Sequence, residues 1–273
     1  DKFDYKENTE KAKTLLKEGI DKIASNVDDE ASAEAINRTT EHYKELLENL
    51  KTNKAEAPKD PIRLAGPNRY ETAIQIADTL KKELGKKKFN VIVVANGDNY
   101  PDALSGAYLA KVKNAPLLLV NEHNKDRTIK YIEDNLKPGR STIVYLLGGT
   151  NAIPDDVRLR IKKSFNVKRL AGNDRFATNL AILKEAKVDN EELVICSGYG
   201  FADSISASAT GRPILLVGDG LTEEQLSYLN SIRTKNYAIA GGLKSVNATI
   251  EASLNNLGSS KRIFGEDRYK TSI

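Results

Sequence analysis

From Ile62 onward, short runs of consecutive apolar residues alternate with segments whose apolar positions recur every three or four residues. VIVVAN (91–96), PLLLV (116–120) and TIVYLLGG (142–149) are rich in aliphatic residues and end in polar or glycine turns, which predicts strands. YETAIQIADTLKKEL (70–84), PDALSGAYLAKVK (101–113) and RTIKYIEDNL (127–136) carry helical periodicity between them. The same order then returns. ELVICSG (192–198), PILLVG (213–218) and YAIAGG (237–242) read as strands, and FATNLAILKEA, FADSISASA and TEEQLSYLNSI as helices. Strands that are apolar throughout predict a sheet covered on both faces. Strand–helix alternation predicts parallel pairing through right-handed crossovers. The expected fold class is α/β: tandem Rossmann-like repeats with parallel sheets flanked by helices.

Residues 1–50 have a different texture. Leu15, Leu16, Gly19, Ile20 and Ile23 recur at helical steps, as do Ala35, Ile36, Tyr43, Leu46, Leu47 and Leu50, with Glu and Lys on the other faces. KTNKAEAPKDP (51–61) is polar, carries two prolines and reads as a linker. Residues 1–60 are therefore expected to form an N-terminal helical hairpin and linker.

One eleven-residue phrase occurs three times, as RLAGPNRYETA at 63, RLAGNDRFATN at 169 and RIFGEDRYKTS at 262. Its second arginines, Arg69, Arg175 and Arg268, are 106 and then 93 residues apart; Gly148-Gly149 and Gly241-Gly242 are also 93 apart. NGDNYPDALSGA aligns with CSGYGFADSISA, which sets Asp102 opposite Asp203. Landmarks in one order and phase mark duplication. A repeat of about 100 residues is large enough to fold as a domain. The expected division is a first repeat over 62–168, a second over 169–261, and the start of a truncated third over 262–273. If RIFG forms an edge strand on the preceding module, the second sheet is nearly closed by Ile263 and Phe264.

Composition narrows the picture. The chain of 273 residues has 40% hydrophobic content, and no apolar run approaches the roughly 18–20 residues of a membrane span. Absence of methionine and of a signal-peptide pattern reads as a mature or excised chain. The single cysteine, Cys196, lies in an apolar run, where a small buried side chain accounts for it. Two histidines and no tryptophan leave little for a histidine-based metal site. The net charge of +4 is a mild bias toward anionic partners.

The ordered motifs R-[LI]-x-G-x-[ND]-R-[YF]-x-T, [AF]-D-[AS]-[LI]-S-[GA], P-[LI]-L-L-V and a strand ending in G-G resemble the cell-wall-binding repeat 2 family of Gram-positive, especially clostridial, surface proteins. The resemblance covers 62–273. It implies three tandem Rossmann-like repeats in a triangular pseudo-trimer, attached non-covalently to an anionic secondary polymer of the wall. It also implies membership of the surface layer (S-layer), with a separate region carrying each protein's individual function. The departure here is that the third repeat stops at Ile273, before its own sheet.

Candidate chemistry is sparse, and each feature has a bland reading beside the functional one. Arg69, Arg175 and Arg268 precede helices, where a guanidinium can pair with a phosphate or carboxylate. Each is equally a structural arginine tying the module entrance to a carboxylate or carbonyl. Gly66, Gly172 and Gly265 suit a turn with positive φ or close packing. Asp102 and Asp203 lie at the carboxyl ends of strands, the usual ligand position in open α/β sheets, and equally suit helix capping and dipole chemistry. Neither G-x-G-x-x-G nor a phosphate loop is present, so the double glycines read as turns, with Pro154 in the first turn of the next helix. No catalytic motif includes His42, His123, Ser105, Ser204 or Ser206. KKELGKKKF (81–89) and VRLRIKKSFNVKR (157–169) read as solvated faces or as weak contacts to a polyanion that add across repeats.

The resulting expectation is a non-catalytic, secreted protein of the cell wall or S-layer, with no cofactor, metal, nucleic acid or membrane span. Its partner is an anionic wall polysaccharide or teichoic-acid-like polymer, contacted by Arg69, Arg175, Arg268, Asp102 and Asp203. Other surface-layer proteins are possible partners. The alternatives are a structural S-layer subunit whose N-terminal helices dock a partner, and the anchor fragment of a wall enzyme.

Overall fold

The computed structural model describes residues 62–265, together with Thr14, Lys17, Glu18, Thr40 and Glu41. The helical hairpin expected within 1–60 and the third-repeat opening with Arg268 lie outside the described residues. Of the described residues, 64–265 belong to one compact unit.

Two four-stranded parallel sheets carry the fold. The first half runs α1 (Arg69–Glu83), β1 (Val91–Asn96), α2 (Pro101–Val112), β2 (Leu117–Val120), α3 (Lys125–Asn135), β3 (Ile143–Leu147), α4 (Asp155–Lys162) and β4 (Asn166–Leu170). The second repeats it as α5 (Arg175–Ala186), β5 (Leu193–Ser197), α6 (Ala202–Ser208), β6 (Ile214–Val217), α7 (Glu223–Ser231), β7 (Asn236–Ala240), α8 (Ala248–Leu257) and β8 (Ser259–Ile263). Strand order is β2-β1-β3-β4 in one sheet and β6-β5-β7-β8 in the other. The Rossmann-like α/β expectation therefore holds for both copies.

The recurring phrase closes one sheet and opens the next helix. Arg169 and Leu170 pair with Leu146 and Leu147 of β3, so β4 runs through the junction between residues 168 and 169. Likewise Ile263 pairs with Ala240, which makes the RI of RIFG an edge strand of the second sheet. Helix entrances follow from local chemistry: Asn68 Oδ1 accepts from the backbone N–H of Tyr70 and Glu71, and Asp174 Oδ1 from Ala177 N–H. Pro154 stands at the N-cap of α4 instead of inside its first turn, because its extended ψ of 154° precedes the helix.

Both faces of the first sheet are buried. Ile92, Val94, Val144 and Leu146 pack under α1, α3 and α4. Val93, Ala95, Tyr145 and Leu147 face α2, and that core runs on into Leu180, Ile182 and Leu183 of α5 and Ile195, Leu215 and Ile239 of the second sheet. α2 packs directly on α5, so the repeats share one hydrophobic interior. Tyrosines pin the seam: Tyr108 OH donates to Glu191 Oε1 at 2.6 Å and Tyr145 OH to Glu185 Oε1 at 2.7 Å.

Candidate functional site

Each part of the repeated phrase has a mechanical role. Gly66 and Gly172 donate their N–H to Thr72 and Thr178 Oγ1 at 2.9 and 3.0 Å. Close approach, not positive φ, selects glycine here: a Cβ on Gly66 would fall 2.6 Å from Glu71 Cβ. The second arginine then reaches the end of the following strand. Arg69 Nη1 donates to Gly97 O, and Arg175 Nη1 to Gly198 O, each at 2.7 Å. The next residue, Tyr70 or Phe176, fills the space a side chain at Gly97 or Gly198 would need. Tyr70 OH also donates to Asp98 Oδ1 at 2.6 Å. Burial and that carboxylate push the Tyr70 hydroxyl up to about 12, while the same bond holds Asp98 below the usual carboxylate range.

The first arginine of the phrase explains why the double glycine keeps its phase. Arg169 Nη1 donates to Gly148 O and Gly149 O at 2.9 and 3.1 Å, and Arg262 Nη1 to Gly241 O at 2.8 Å. Gly148 and Gly241 have φ of 100° and 104°, and a Cβ at either would overlap the carboxylate of Asp102 or Asp203. Those aspartates do not cap their helices by hydrogen bonding. The N-cap residues of α2 and α6 are Tyr100 and Phe201, with no side-chain cap.

The two aspartates differ in one partner. Asp203 Oδ2 accepts from Ser245 Oγ at 3.0 Å. Ala152 occupies the matching position of the first repeat, so Asp102 accepts no hydrogen bond among the described residues. Burial raises the Asp102 pKa, and the positive charge of Arg175 partly opposes the shift.

Asp102 and Arg175 meet at a cleft of about 320 Å³ between the repeats. One wall comes from Asn99, Asp102 and Gly149–Asn151, the other from Asn173, Asp174 and Arg175. The cleft opens outside the carboxyl ends of β1 and β3, where the strand order reverses; open α/β sheets bind ligands at such switch points. Arg69 lines a separate crevice of about 300 Å³ within the first repeat, beside Asp98 and Tyr100. Asp203 holds the counterpart position in the second repeat, and Arg268 lies outside the described residues. Sequence reasoning missed Asn99, Thr150, Asn151 and Asn173, since such residues suit any turn.

The remaining candidates separate from this cleft. Cys196 is buried, and burial pushes its thiol up to about 12. Ser105 Oγ donates to Pro101 O and accepts from Asn179 Nδ2. Of the basic clusters, Arg158 pairs with Asp155 at 2.7 Å, Lys168 with Glu185 at 2.6 Å, and Arg160 with Asp126. Lys86–Lys88 lead into β1 and Lys162-Lys163 into β4, at the amino ends of the strands and opposite the cleft. Among the described residues, no helix is long and apolar enough to cross a membrane.

The model of a family described as cell wall binding domain 2 matches residues 63–158 and 169–251. The chain is 31% identical over 214 residues to N-acetylmuramoyl-L-alanine amidase LytC of Bacillus subtilis (strain 168), covering 76% of this chain and 41% of the amidase. It is 30% identical over 213 residues to the amidase enhancer of the same organism, covering 76% of this chain and 28% of that protein. Among solved structures, Cwp8 from Clostridium difficile superposes with a TM-score of 0.68 at 27% identity, covering 86% of this chain and 40% of that one. Cwp6 from the same organism gives 0.66 at 26% identity, covering 81% and 37%. The chain thus spans less than half the length of each of these relatives.

Proposed function

This chain belongs to the cell wall binding domain 2 family, and we propose that its repeats hold a surface protein on the bacterial wall by binding an anionic secondary polymer at the cleft between them. The carrying observation is that Asp102 of one repeat and Arg175 of the next line a single polar cleft at the strand-order reversal. Such a cleft exists only where one repeat follows another. A polymer presenting the same unit repeatedly gains from several modest contacts on one chain. The net charge of +4, with Lys86–Lys88 exposed or half-exposed, supplies a diffuse attraction for a polyanion.

Residues 262–273 open a third repeat in this reading. Tyr199, Phe201, Ile205 and Leu243 are exposed on the second repeat. Ile205 lies on α6 and Tyr199 and Phe201 just before it; α6 is the counterpart of α2, which carries α5 in the first repeat. In this reading a following repeat would take that face of α6 and build a second cleft with Asp203. The reading makes the protein a secreted component of the cell wall or S-layer, with other surface-layer proteins as candidate partners.

The test is retention on purified cell walls. Full-length protein should sediment with intact walls and stay in solution with walls stripped of secondary polymer. Arg175→Gln together with Asp102→Ala should reduce retention at least tenfold. Equal binding to stripped peptidoglycan would overturn the reading.

A second reading is favoured by the names of the two Bacillus relatives, an amidase and an amidase enhancer. Here the repeats would hold a wall-remodelling activity close to its substrate. Fused to a wall amidase's catalytic part, the chain should speed the release of amino termini from intact walls; no gain over the unfused catalytic part would count against this reading.

A further inference from the structure

We infer that the cleft between the repeats recognises the hydroxyl groups of a neutral sugar unit of the polymer and leaves its anionic groups to the surface lysines. The inference rests on the wall-binding reading and names the chemistry of that same site.

The charge of the cleft argues against an anion as its occupant. Its lining holds one arginine, Arg175, against two aspartates, Asp102 and Asp174. The arginine already gives one donor to Gly198 O. The helix amino termini at the cleft are also answered from within. Asp174 accepts from Ala177 N–H at the start of α5, and Asp102 places a carboxylate in the first turn of α2. A phosphate entering here would meet two negative side chains and helix ends that already hold one each.

The same groups suit a polyol. Asp102 is a half-buried acceptor with no donor among the described residues, because Ala152 replaces the serine that serves Asp203. A hydroxyl donates to a carboxylate and accepts from a guanidinium, so adjacent hydroxyls of a pyranose can bridge Asp102 and Arg175. Around them Asn99, Asn151 and Asn173 provide amides that both donate and accept, with the Thr150 hydroxyl beside them. The cavity of about 320 Å³ has room for one or two sugar rings. Cations without a carboxylate partner among the described residues, Lys86–Lys88 and Lys162-Lys163, lie at the other end of the strands.

The test titrates the full 273-residue chain by calorimetry and ligand-observed NMR with three probe classes: neutral hexoses and N-acetylhexosamines with their disaccharides, glycerol phosphate, and inorganic phosphate. At least one neutral saccharide should bind, with an affinity that changes less than twofold between 50 and 500 mM salt. Asp102→Asn should weaken it at least tenfold. Asn151→Ala, on the exposed rim where folding is not at stake, should weaken it severalfold. Binding of phosphate or glycerol phosphate alone, lost on adding salt, would overturn the inference and leave wall attachment standing. So would the absence of saccharide binding at 50 mM while walls still retain the protein through Arg175. Wall retention indifferent to both Asp102→Asn and Arg175→Gln would overturn the underlying reading as well.

Discussion

Asn179 of α5 and Ser105 of α2 join across the seam between the repeats through a 3.0 Å hydrogen bond from Asn179 Nδ2 to Ser105 Oγ. The same amide also donates to Ile214 O at 2.8 Å and accepts from Leu216 N at 3.0 Å, so it pairs with the outer edge of β6 as another strand would. Gln225 Nε2 completes the edge by donating to Leu216 O at 2.8 Å. In the first repeat Ala73 aligns with Asn179, and Thr128 Oγ1 serves Leu119 O instead. Asn179 is fully buried. Asn179→Ala leaves two backbone groups of β6 without a partner in the buried interior and removes the donor that Ser105 Oγ accepts from, a loss of about 2–4 kcal/mol. Urea denaturation should show that loss, whereas Ala73→Ser in the first repeat should change stability by less than about 1 kcal/mol.

The left-handed glycines make a paired prediction. Gly148→Ala and Gly241→Ala each force a Cβ into a backbone conformation that disfavours it and into an aspartate carboxylate. Each should destabilise the fold by about 2–4 kcal/mol. Part of the Gly148 cost is the collision with Asp102. In an Asp102→Ala background Gly148→Ala should therefore cost about 1 kcal/mol less, a coupling measurable by a double-mutant cycle. Additive losses would show that backbone strain alone selects glycine.

Apolar run length and helical periodicity carry the strand–helix order, because buried parallel strands leave little room for other patterns. The duplication was legible for the same reason: Gly66, Thr72 and Asn68 form one local device, and a local device must be copied as a block. Long-range pairings were hidden. Nothing in the spacing says that Arg69 ends on Gly97 O or that Arg169 ends on Gly148 O, since a guanidinium accepts any nearby carbonyl. The strand Asn166–Leu170 was masked by the lysines and arginines of an exposed edge, which read as a basic cluster. The cleft was invisible because its walls come from different repeats, and its asparagines resemble ordinary turn residues.

Asp102 should give the protein a pH signature. Its folded pKa is raised by burial above the ordinary 3.8, so the folded state holds that proton more tightly than the unfolded chain does. Stability from this group therefore increases as pH falls from neutral through the raised value, and the gain is complete below 3.8. Asp98 and Asp155, both lowered, act in the opposite direction, so the test is a difference. Melting temperature of the protein minus that of Asp102→Asn should rise between pH 7 and pH 4. Wall retention should move the other way over the same interval, because protonation removes the charge that strengthens the bond accepted from a hydroxyl.

Charge and cleft should separate on a salt axis. Lys86, Lys87 and Lys88 lie in the turn before β1, exposed or half-exposed, and attract a polyanion only through solvent. Screening shortens that reach from about 10 Å at 0.1 M salt to about 3 Å at 1 M. Lys86→Glu with Lys87→Glu and Lys88→Glu should weaken wall retention severalfold at 50 mM salt, and the deficit should vanish by 1 M. Asp102 sits half-buried at the opposite end of the strands, where direct hydrogen bonds are little screened. Its substitution by asparagine should leave the same proportional loss at both salt concentrations. Pull-down at a series of salt concentrations distinguishes the two, and curves that converge for both variants would place all of the binding in diffuse charge.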